Sequence, residues 1–357
     1  MSRPTTASPS LEVAERRSRA LAAAVEAHPR AHRVLTGDRP TGPLHVGHLF
    51  GTLLNRVRLQ DLGAEVFVLV ADYQVLTDRE APADLASDVL GQVADYLAVG
   101  IDPGRATIFA HSQVGGLNEL LVAFLSVVSV AEVGRNPTVK DELAAAGGGA
   151  MSALMFAYPV HQAADILFCH ANVVPVGKDQ LPHLELARTV ARRFNDRYSP
   201  TQPYFPEPEG LLSTAPLLLG VDGQKMSKSR RNAIAISASE DETTALVRSA
   251  RTDAERHVTY EPERRPEIAN LVLLAAMCLD EAPGQVAEAV GPGGAEALKA
   301  TLTDALNDRL RPIRRRRQAL AADPGYLREV LARGNEHAGE IAERTLRQVR
   351  ELMHMVY

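Results

Sequence analysis

Two short segments hold residue types and spacings that suit chemistry on phosphates. The first is His45-Val46-Gly47-His48, which follows a brief apolar run and the turn sequence GDRPTGPL. A strand, a glycine-rich turn and a helix N-terminus together make an anion site, because free backbone N–H groups and the helix dipole face the ligand. Gly47 has no side chain, so a ring or a phosphate can come close to the backbone there. His45 and His48 stand three apart, on one face of the opening helical turn. Both can donate hydrogen bonds to a phosphate in its transition state. Two surface histidines in a turn, or a piece of a metal site, are the plainer readings. A metal is disfavoured because no Asp, Glu or Cys stands at ligand spacing. The second segment is Lys225-Met226-Ser227-Lys228-Ser229, preceded by VDGQ and followed by two arginines. Lys225 and Lys228 suit the β- and γ-phosphates of a nucleotide, with the serine hydroxyls as neutral donors. An ordinary solvated basic loop is the alternative.

The elements around these segments alternate between helix and strand signals. Residues 11–29 are rich in Ala, Glu and Arg and read as an exposed helix. Residues 44–62 have helical periodicity, with Gly63 as the stop. Glu65–Ala71 (EVFVLVA) is a continuous apolar run, as expected of a buried parallel strand. A helix over 82–99 ends at Gly100, and Arg105–Ala110 is the next strand. Apolar helices over 117–131 and 151–168 flank a polar stretch holding Gly147, Gly148 and Gly149. Val173–Val176 is a short strand, a helix covers 180–194, and Leu217–Leu219 begins a further strand. This alternation predicts an α/β, Rossmann-like doubly wound parallel sheet. After about residue 240 strand signals stop. Helical segments follow, broken by Pro262, Pro266, Pro283 and the GPGG at 291–294. They predict a second, all-helical domain whose last helix can pack back on the first.

Composition narrows the function classes. A chain of 357 residues suits two domains. With 45% hydrophobic and 23% charged residues, it is neither wholly disordered nor fibrous. Lys+Arg 39 against Asp+Glu 44 gives a net charge of −5, so any nucleic-acid contact must be a local patch. Two cysteines, Cys169 and Cys278, are too few for a disulfide framework or a cysteine-based metal site. There is no Trp, with 8 Tyr and 8 Phe, so the core must rest on Leu, Val, Ile and Ala. No apolar run reaches the ~18 residues of a membrane span. The opening MSRPTTASPS lacks the apolar centre of a secretory signal and reads as a disordered tail, which points to the cytoplasm. No G-x-G-x-x-G follows a strand, which sets aside a dinucleotide oxidoreductase.

The two segments, in this order on an α/β frame, resemble the HIGH-like and KMSKS motifs of class I aminoacyl-tRNA synthetases. GDRPTGPLHVGH is similar to the entry motif of the tryptophanyl/tyrosyl branch. The stretch YPVHQAADILFCHANVVPVGKDQLPHLEL resembles the tryptophanyl pattern Y-P-x-x-x-A-A-D-I-L followed by V-P-V-G-x-D-Q-x-x-H-x-E-L. TDAERHVTYEPERRPEIANL matches that family's T-D-…-Y-D-P-…-N-L stretch. The likeness covers about residues 33–350.

This resemblance implies a tryptophan–tRNA ligase. It implies a tail and helix over 1–30, a catalytic domain over 31–240 and a helical anticodon-binding domain over 241–357. ATP arrives with Mg2+, and no tightly bound cofactor or resident metal is implied. Partners are L-tryptophan, ATP and tRNA(Trp), in a homodimer away from membranes. His45, His48, Lys225, Lys228 and Lys140 are implied as catalytic; a solvated charge at a helix end is the equal alternative for Lys140. ATP contacts are implied for Arg39, Pro40, Thr41, Gly47, His48, Gly177, Lys178, Asp179, Leu217, Lys225, Met226, Ser227, Lys228 and Ser229. Tryptophan contacts are implied for Asp165, Tyr158, Gln162 and Gln180, with Asp165 accepting the indole N–H. Gln162 stands where the family usually has Met, and Gln74 where many bacterial members have His. Tyr158, Gln162 and Asp165 also keep a spacing used by tyrosyl enzymes, so a tyrosine–tRNA ligase is the alternative. A synthetase-like regulatory protein is the third reading. Arg311–Arg317 reads either as a solvated helix face or as phosphate contacts to tRNA.

Overall fold

The computed structural model describes residues 9–77, 84–145, 151–213, 218–227, 230 and 232–357. The opening residues 1–8, Gly147–Gly149, Leu217, Lys228 and Ser229 lie outside them. In chain order the elements are α1 (Pro9–Ala27), β1 (Arg33–Asp38), α2 (Val46–His48), a π-turn (Leu49–Leu53), α3 (Leu54–Leu62), β2 (Glu65–Val70), α4 (Leu85–Val99), β3 (Ala106–Ala110) and α5 (Gly115–Leu125). Next come α6 (Val130–Val133), α7 (Pro137–Ala145), α8 (Ala153–Leu167), β4 (Val173–Val176), α9 (Leu181–Tyr198) and β5 (Glu209–Leu212). Helices α10 (Glu240–Ser249), α11 (Pro266–Leu279), α12 (Pro283–Val290), α13 (Gly294–Ala321) and α14 (Pro324–Leu352) complete the chain.

The sheet is fully parallel, in the order β3-β2-β1-β4-β5. Period-two alternation sends its side chains to two cores. Val34, Val66, Val68, Val70 and Ile108 face the layer built with α3, α4, α11 and α13. Leu35, Phe67, Leu69, Phe109 and Val174 face the layer built with α5, α8, α9 and α14. The strand order reverses at β1, whose neighbours are β2 and β4. In such sheets ligands bind at that switch point, outside the carboxyl ends of the strands.

The structure moves one expected strand. Among the described residues the fifth strand is Glu209–Leu212, and Leu218–Leu219 of the expected later run belong to no named strand. Leu219 makes only an isolated antiparallel bridge to Lys225. β5 is short and begins Glu-Gly, so its own pattern is weak; its neighbours supply what it lacks. Gly210 lets Leu184 of α9 sit close, since a Cβ there would lie 2.9 Å from the Leu184 Cδ2. The Ser18 hydroxyl of α1 accepts the Leu212 N–H at 2.8 Å.

Two other boundaries shift for local reasons. The helix expected over 117–131 ends at Leu125, because Ser129 and Glu132 form a capping box that starts α6. Residues 44–62 contain the π-turn after His48. After β5 every named element is a helix, and α14 docks on the open edge of β3. At Gly334 any Cβ would lie 1.8 Å from the Ile108 carbonyl oxygen. The Asn335 side-chain oxygen accepts the Ala110 N–H at 2.8 Å, which occupies an edge donor.

Candidate active site

Arg39–His48 and Gly177–Gln180 follow the carboxyl ends of β1 and β4, and Asp165 of α8 meets residues just past β2 and β3. Beyond β1 the chain runs through Arg39, Pro40 and Thr41 to His45. Pro40 is buried, Arg39 and Thr41 are exposed, and the Thr41 N–H bonds the Arg39 carbonyl at 2.9 Å. His45 is the N-cap of α2, and its N–H donates to the His48 Nδ1 at 3.2 Å. The two rings lie 3.8 Å apart.

Gly47 is where the two signature segments meet. A Cβ there would lie 2.9 Å from the His45 ring and 3.3 Å from the Met226 sulfur. Backbone bonds lock this approach. Val46 N–H donates to the Ile234 carbonyl and Ile236 N–H to the Leu44 carbonyl, both at 2.9 Å. Lys225 is exposed and Met226 buried. Lys228, Ser229 and Leu217 fall outside the described residues.

Sequence reasoning missed Asn232, the post that holds the lysine loop. Its side chain, 2% exposed, donates to Asp222 at 2.7 Å and to the Lys225 carbonyl at 3.1 Å, and accepts from Ser227 N–H at 2.8 Å. Backbone and Asn232 donors hold the Asp222 carboxyl below its ordinary range. Gly220 leaves room for Asn232, since a Cβ there would stand 2.4 Å from its amide. Asn270 of α11 grips Leu219 through both backbone groups, at 2.7 and 3.1 Å. Gly220→Ala is therefore expected to push Asn232 aside, at a cost of about 1–3 kcal/mol. A thermal midpoint unchanged from wild type would contradict this.

Asp38, at the end of β1, carries a second missed feature. Arg56 of α3 is 1% exposed and meets the Asp38 carboxylate at 2.6 Å. The Tyr96 hydroxyl donates to the same oxygen at 2.8 Å. Burial alone would raise the Asp38 carboxyl; Arg56, aided by His48 and Tyr96, holds it well below the usual range.

The amino-acid side of the cleft centres on Asp165 of α8. Its Oδ1 lies 2.8 Å from His111 Nε2, just past β3, and its Oδ2 accepts from Gln74 at 3.4 Å, just past β2. Burial opposes a charged His111, but the Asp165 carboxylate outweighs it and raises the imidazole pKa, with a smaller push from Asp72. His161 stacks on His111 at 4.1 Å, and burial lowers its pKa. Its Nε2 faces the Asn118 side-chain oxygen at 2.8 Å, while the Asn118 amide nitrogen donates to two carbonyls. His161 Nε2 therefore carries a proton.

Among the described residues, His111, His161 and Asp165 are the one group whose ligand atoms, within 4.8 Å of one another, could hold a metal. Their rings stack with only 27° between planes. Ring-nitrogen lone pairs lie in the ring plane, so two stacked rings do not converge on one ion. The arrangement suits an ion pair with a stacked neighbour better than a metal centre.

Tyr158 and half-buried Gln162 share the Asp165 face of α8 by helical spacing. The Tyr158 hydroxyl lies 3.1 Å from His183 Nε2, and Thr138 Oγ1 lies 3.0 Å from the same nitrogen. Asn136 accepts from Thr138 N–H through its oxygen, so its amide nitrogen faces His183 Nδ1, at 3.2 Å. His183 is thus neutral with its proton on Nε2; burial lowers its pKa. It ties Tyr158 to the start of α7, one turn before the exposed Lys140. No reading of the sequence assigned His183 a role.

Gly177 opens the turn after β4, and Asp179 folds over it. A Cβ on Gly177 would lie 2.6 Å from the Asp179 Oδ1. Gln180 donates to Asp179 at 3.1 Å, and Lys178 pairs with Glu15 of α1 at 2.8 Å. Cys169 is buried and its thiol is pushed up to about 12, so it is packing and not a nucleophile.

The arginine cluster is engaged within the chain. Arg311 pairs with Glu240 and Asp308, Arg314 bonds Thr243 and Asn307, Arg316 donates to the Ala98 carbonyl, and Arg317 pairs with Asp95. Arg315 and Arg316 remain exposed, so part of the run keeps a solvated face while Arg314 and Arg317 pack against the protein.

The family model for class I tRNA synthetases (W and Y) matches residues 28–311. A tryptophan–tRNA ligase of Streptococcus agalactiae is 41% identical over 91% of this chain and 98% of its own length. One of Streptococcus pyogenes is 40% identical over the same shares. A tryptophanyl-tRNA synthetase of Campylobacter jejuni, solved with ADP and tryptophan, superposes with a TM-score of 0.78 at 31% identity, covering 90% of this chain and 99% of that one. The chain belongs to the class I aminoacyl-tRNA synthetases of the tryptophan and tyrosine branch, in the tryptophan–tRNA ligase family.

Proposed function

We propose a division of labour among these residues in one two-step reaction, the ATP-dependent ligation of L-tryptophan to the 3′ end of its tRNA. In the first step a tryptophan carboxylate oxygen attacks the α-phosphate. The bond to the bridging oxygen breaks, giving tryptophanyl-adenylate and pyrophosphate. In the second step a ribose hydroxyl of the tRNA attacks the acyl carbon and AMP leaves. Such catalysis needs orientation and charge stabilisation, with no covalent protein intermediate.

In this reading Arg39, Pro40, Thr41, Gly47 and His48 cradle ATP at the switch point, with His45 shaping the turn. Gly177, Lys178, Asp179 and Leu217 take the ribose and base. Lys225, Met226, Ser227, Lys228 and Ser229 follow the departing pyrophosphate, and Lys140 approaches the phosphates from α7. Asp165 accepts the indole N–H, and Tyr158, Gln162 and Gln180 line the rest of the pocket. Mg2+ enters with the nucleotide. The contact of Gly47 with Met226 carries this reading, because it joins two phosphate-handling segments far apart in the chain.

The experiment is amino-acid-dependent ATP–pyrophosphate exchange with tryptophan and tyrosine, followed by tRNA charging. Exchange with tryptophan, and charged tRNA(Trp), are expected. Exchange with tyrosine alone would overturn the reading, and no exchange would favour a regulatory role.

The helical part after residue 240 is proposed to read the anticodon. A homodimer is proposed through the α5–α6 surface, where Val122 is 71% and Val130 75% exposed beside Leu125. Sedimentation equilibrium should give twice the chain mass. No helix among the described residues is long and apolar enough to cross a membrane. The proposed place of work is the cytoplasm, where charged tRNA is consumed.

A further inference from the structure

Asp95 lies in the middle of α4 and is 0% exposed. An ionised carboxylate so placed is costly unless it is paired. Its two oxygens have different partners. Oδ1 meets Arg317 Nε of α13 at 2.5 Å, and Oδ2 accepts the Leu44 N–H at 3.0 Å. Leu44 immediately precedes His45, and its carbonyl accepts the Ile236 N–H beyond the lysine loop. One line of contacts thus runs from α13, through a buried carboxylate, to the backbone from which both signature segments hang. Arg317 is only 25% exposed at its side chain, and its guanidinium lies over Gly91 of α4, where a Cβ would be 3.8 Å away.

We propose that Asp95 and Arg317 are positioning residues for ATP: the cation from the helical half holds the Leu44–His48 turn in its nucleotide-binding shape. This rests on the reading that the turn binds ATP. With Arg317 gone, Asp95 is a buried charge without that cation. It then takes up a proton or rotates toward water, and either change weakens its hold on Leu44. Tryptophan is read elsewhere, at Asp165, so nucleotide use and amino-acid binding separate. The helical half that is proposed to bind tRNA also gains a physical link to the ATP loop.

The full-length enzyme tests this in two measurements. The chain contains no Trp, so all indole emission comes from the ligand, and the rise in its anisotropy on binding gives the affinity. Exchange kinetics give kcat and the KM for ATP. Arg317→Gln is expected to lower kcat/KM for ATP by about 10- to 100-fold, the scale of a small misplacement of reacting groups. The tryptophan Kd should stay within about twofold, which a general loss of structure would not allow. Arg317→Lys should restore most of the activity. Arg316→Ala, which loses the neighbouring bond to Ala98, should change kcat/KM by less than about twofold. Parallel loss of tryptophan binding and exchange in Arg317→Gln overturns the proposal, as does unchanged exchange. His48→Ala separates the two readings. If it abolishes exchange while Arg317→Gln does not, the link is wrong and the ATP site stands. If His48→Ala leaves exchange intact, the ATP site itself is misassigned.

Discussion

Arg56→Met is expected to lower the stability of the enzyme by about 3–5 kcal/mol, the usual cost of removing one partner of a buried ion pair. Arg56 is 1% exposed, and the Asp38 carboxylate it meets is also bound by Tyr96. Methionine fills much of the space but leaves Asp38 with the Tyr96 hydroxyl and His48 and without its permanent cation. Asp38 is held well below the ordinary carboxylate range. A depressed carboxyl adds stability above its unfolded pKa and loses it as pH falls through the folded value. The variant should therefore lose much of the wild-type advantage at neutral pH and converge with wild type in acid. Thermal midpoints across pH measure this, and a gap that widens on acidification would contradict it. Activity should fall as well, since Asp38 leads directly into Arg39, Pro40 and Thr41.

Asp165→Ala is expected to reduce kcat/KM for tryptophan by about 10²–10³-fold, because a buried donor loses a charged acceptor. ATP–pyrophosphate exchange against tryptophan concentration measures it, and a fall of less than about fivefold would remove Asp165 from the role of indole acceptor. The His111 partner makes a further expectation. Its pKa is raised above the ordinary 6.5 by the Asp165 carboxylate, against the effect of burial. The stability from this pair is therefore full below 6.5 and is lost as pH rises through the folded value. Asp72 also faces His111, and His161 stacks on it, so neither the raised pKa nor the slope belongs to Asp165 alone. Asp165→Asn keeps an acceptor for the indole but removes the charge, so it should flatten that slope while losing less activity than Ala. A slope unchanged in Asp165→Asn would assign the pH dependence elsewhere.

Some of this was legible in the sequence because it is local. His45-x-Gly47-His48 states a turn, a cap and a close approach within four residues. Met226 and its flanking lysines state a cationic loop. Strand β2 announces itself as an unbroken apolar run, and its neighbours sort by alternation into two cores. Asp165 is legible only through the likeness of its surroundings to a family. The missed strand β5 shows the limit, since a Glu-Gly start has little strand character until Leu184 and Ser18 pack on it.

What the tertiary structure decided is who meets whom. Arg317 lies 222 residues from Asp95, and Gln74 lies 91 from Asp165. No pattern of spacing encodes such pairs, because each partner alone reads as an ordinary surface charge or polar residue. The arginine run has the composition of a phosphate patch, and packing against α10 and α4 draws in Arg314 and Arg317 while Arg315 and Arg316 stay exposed. The sequence by itself determined the chemistry on offer, the alternation of elements and the two signature segments. Residue type and short-range periodicity act through bonds and dihedrals that neighbours share. Folding alone decided that His111 would sit against Asp165, that Asn232 would carry the lysine loop, and that a helix from the far end would hold the turn before His45. Those contacts depend on which buried polar groups are left facing one another once the sheet and its helices close.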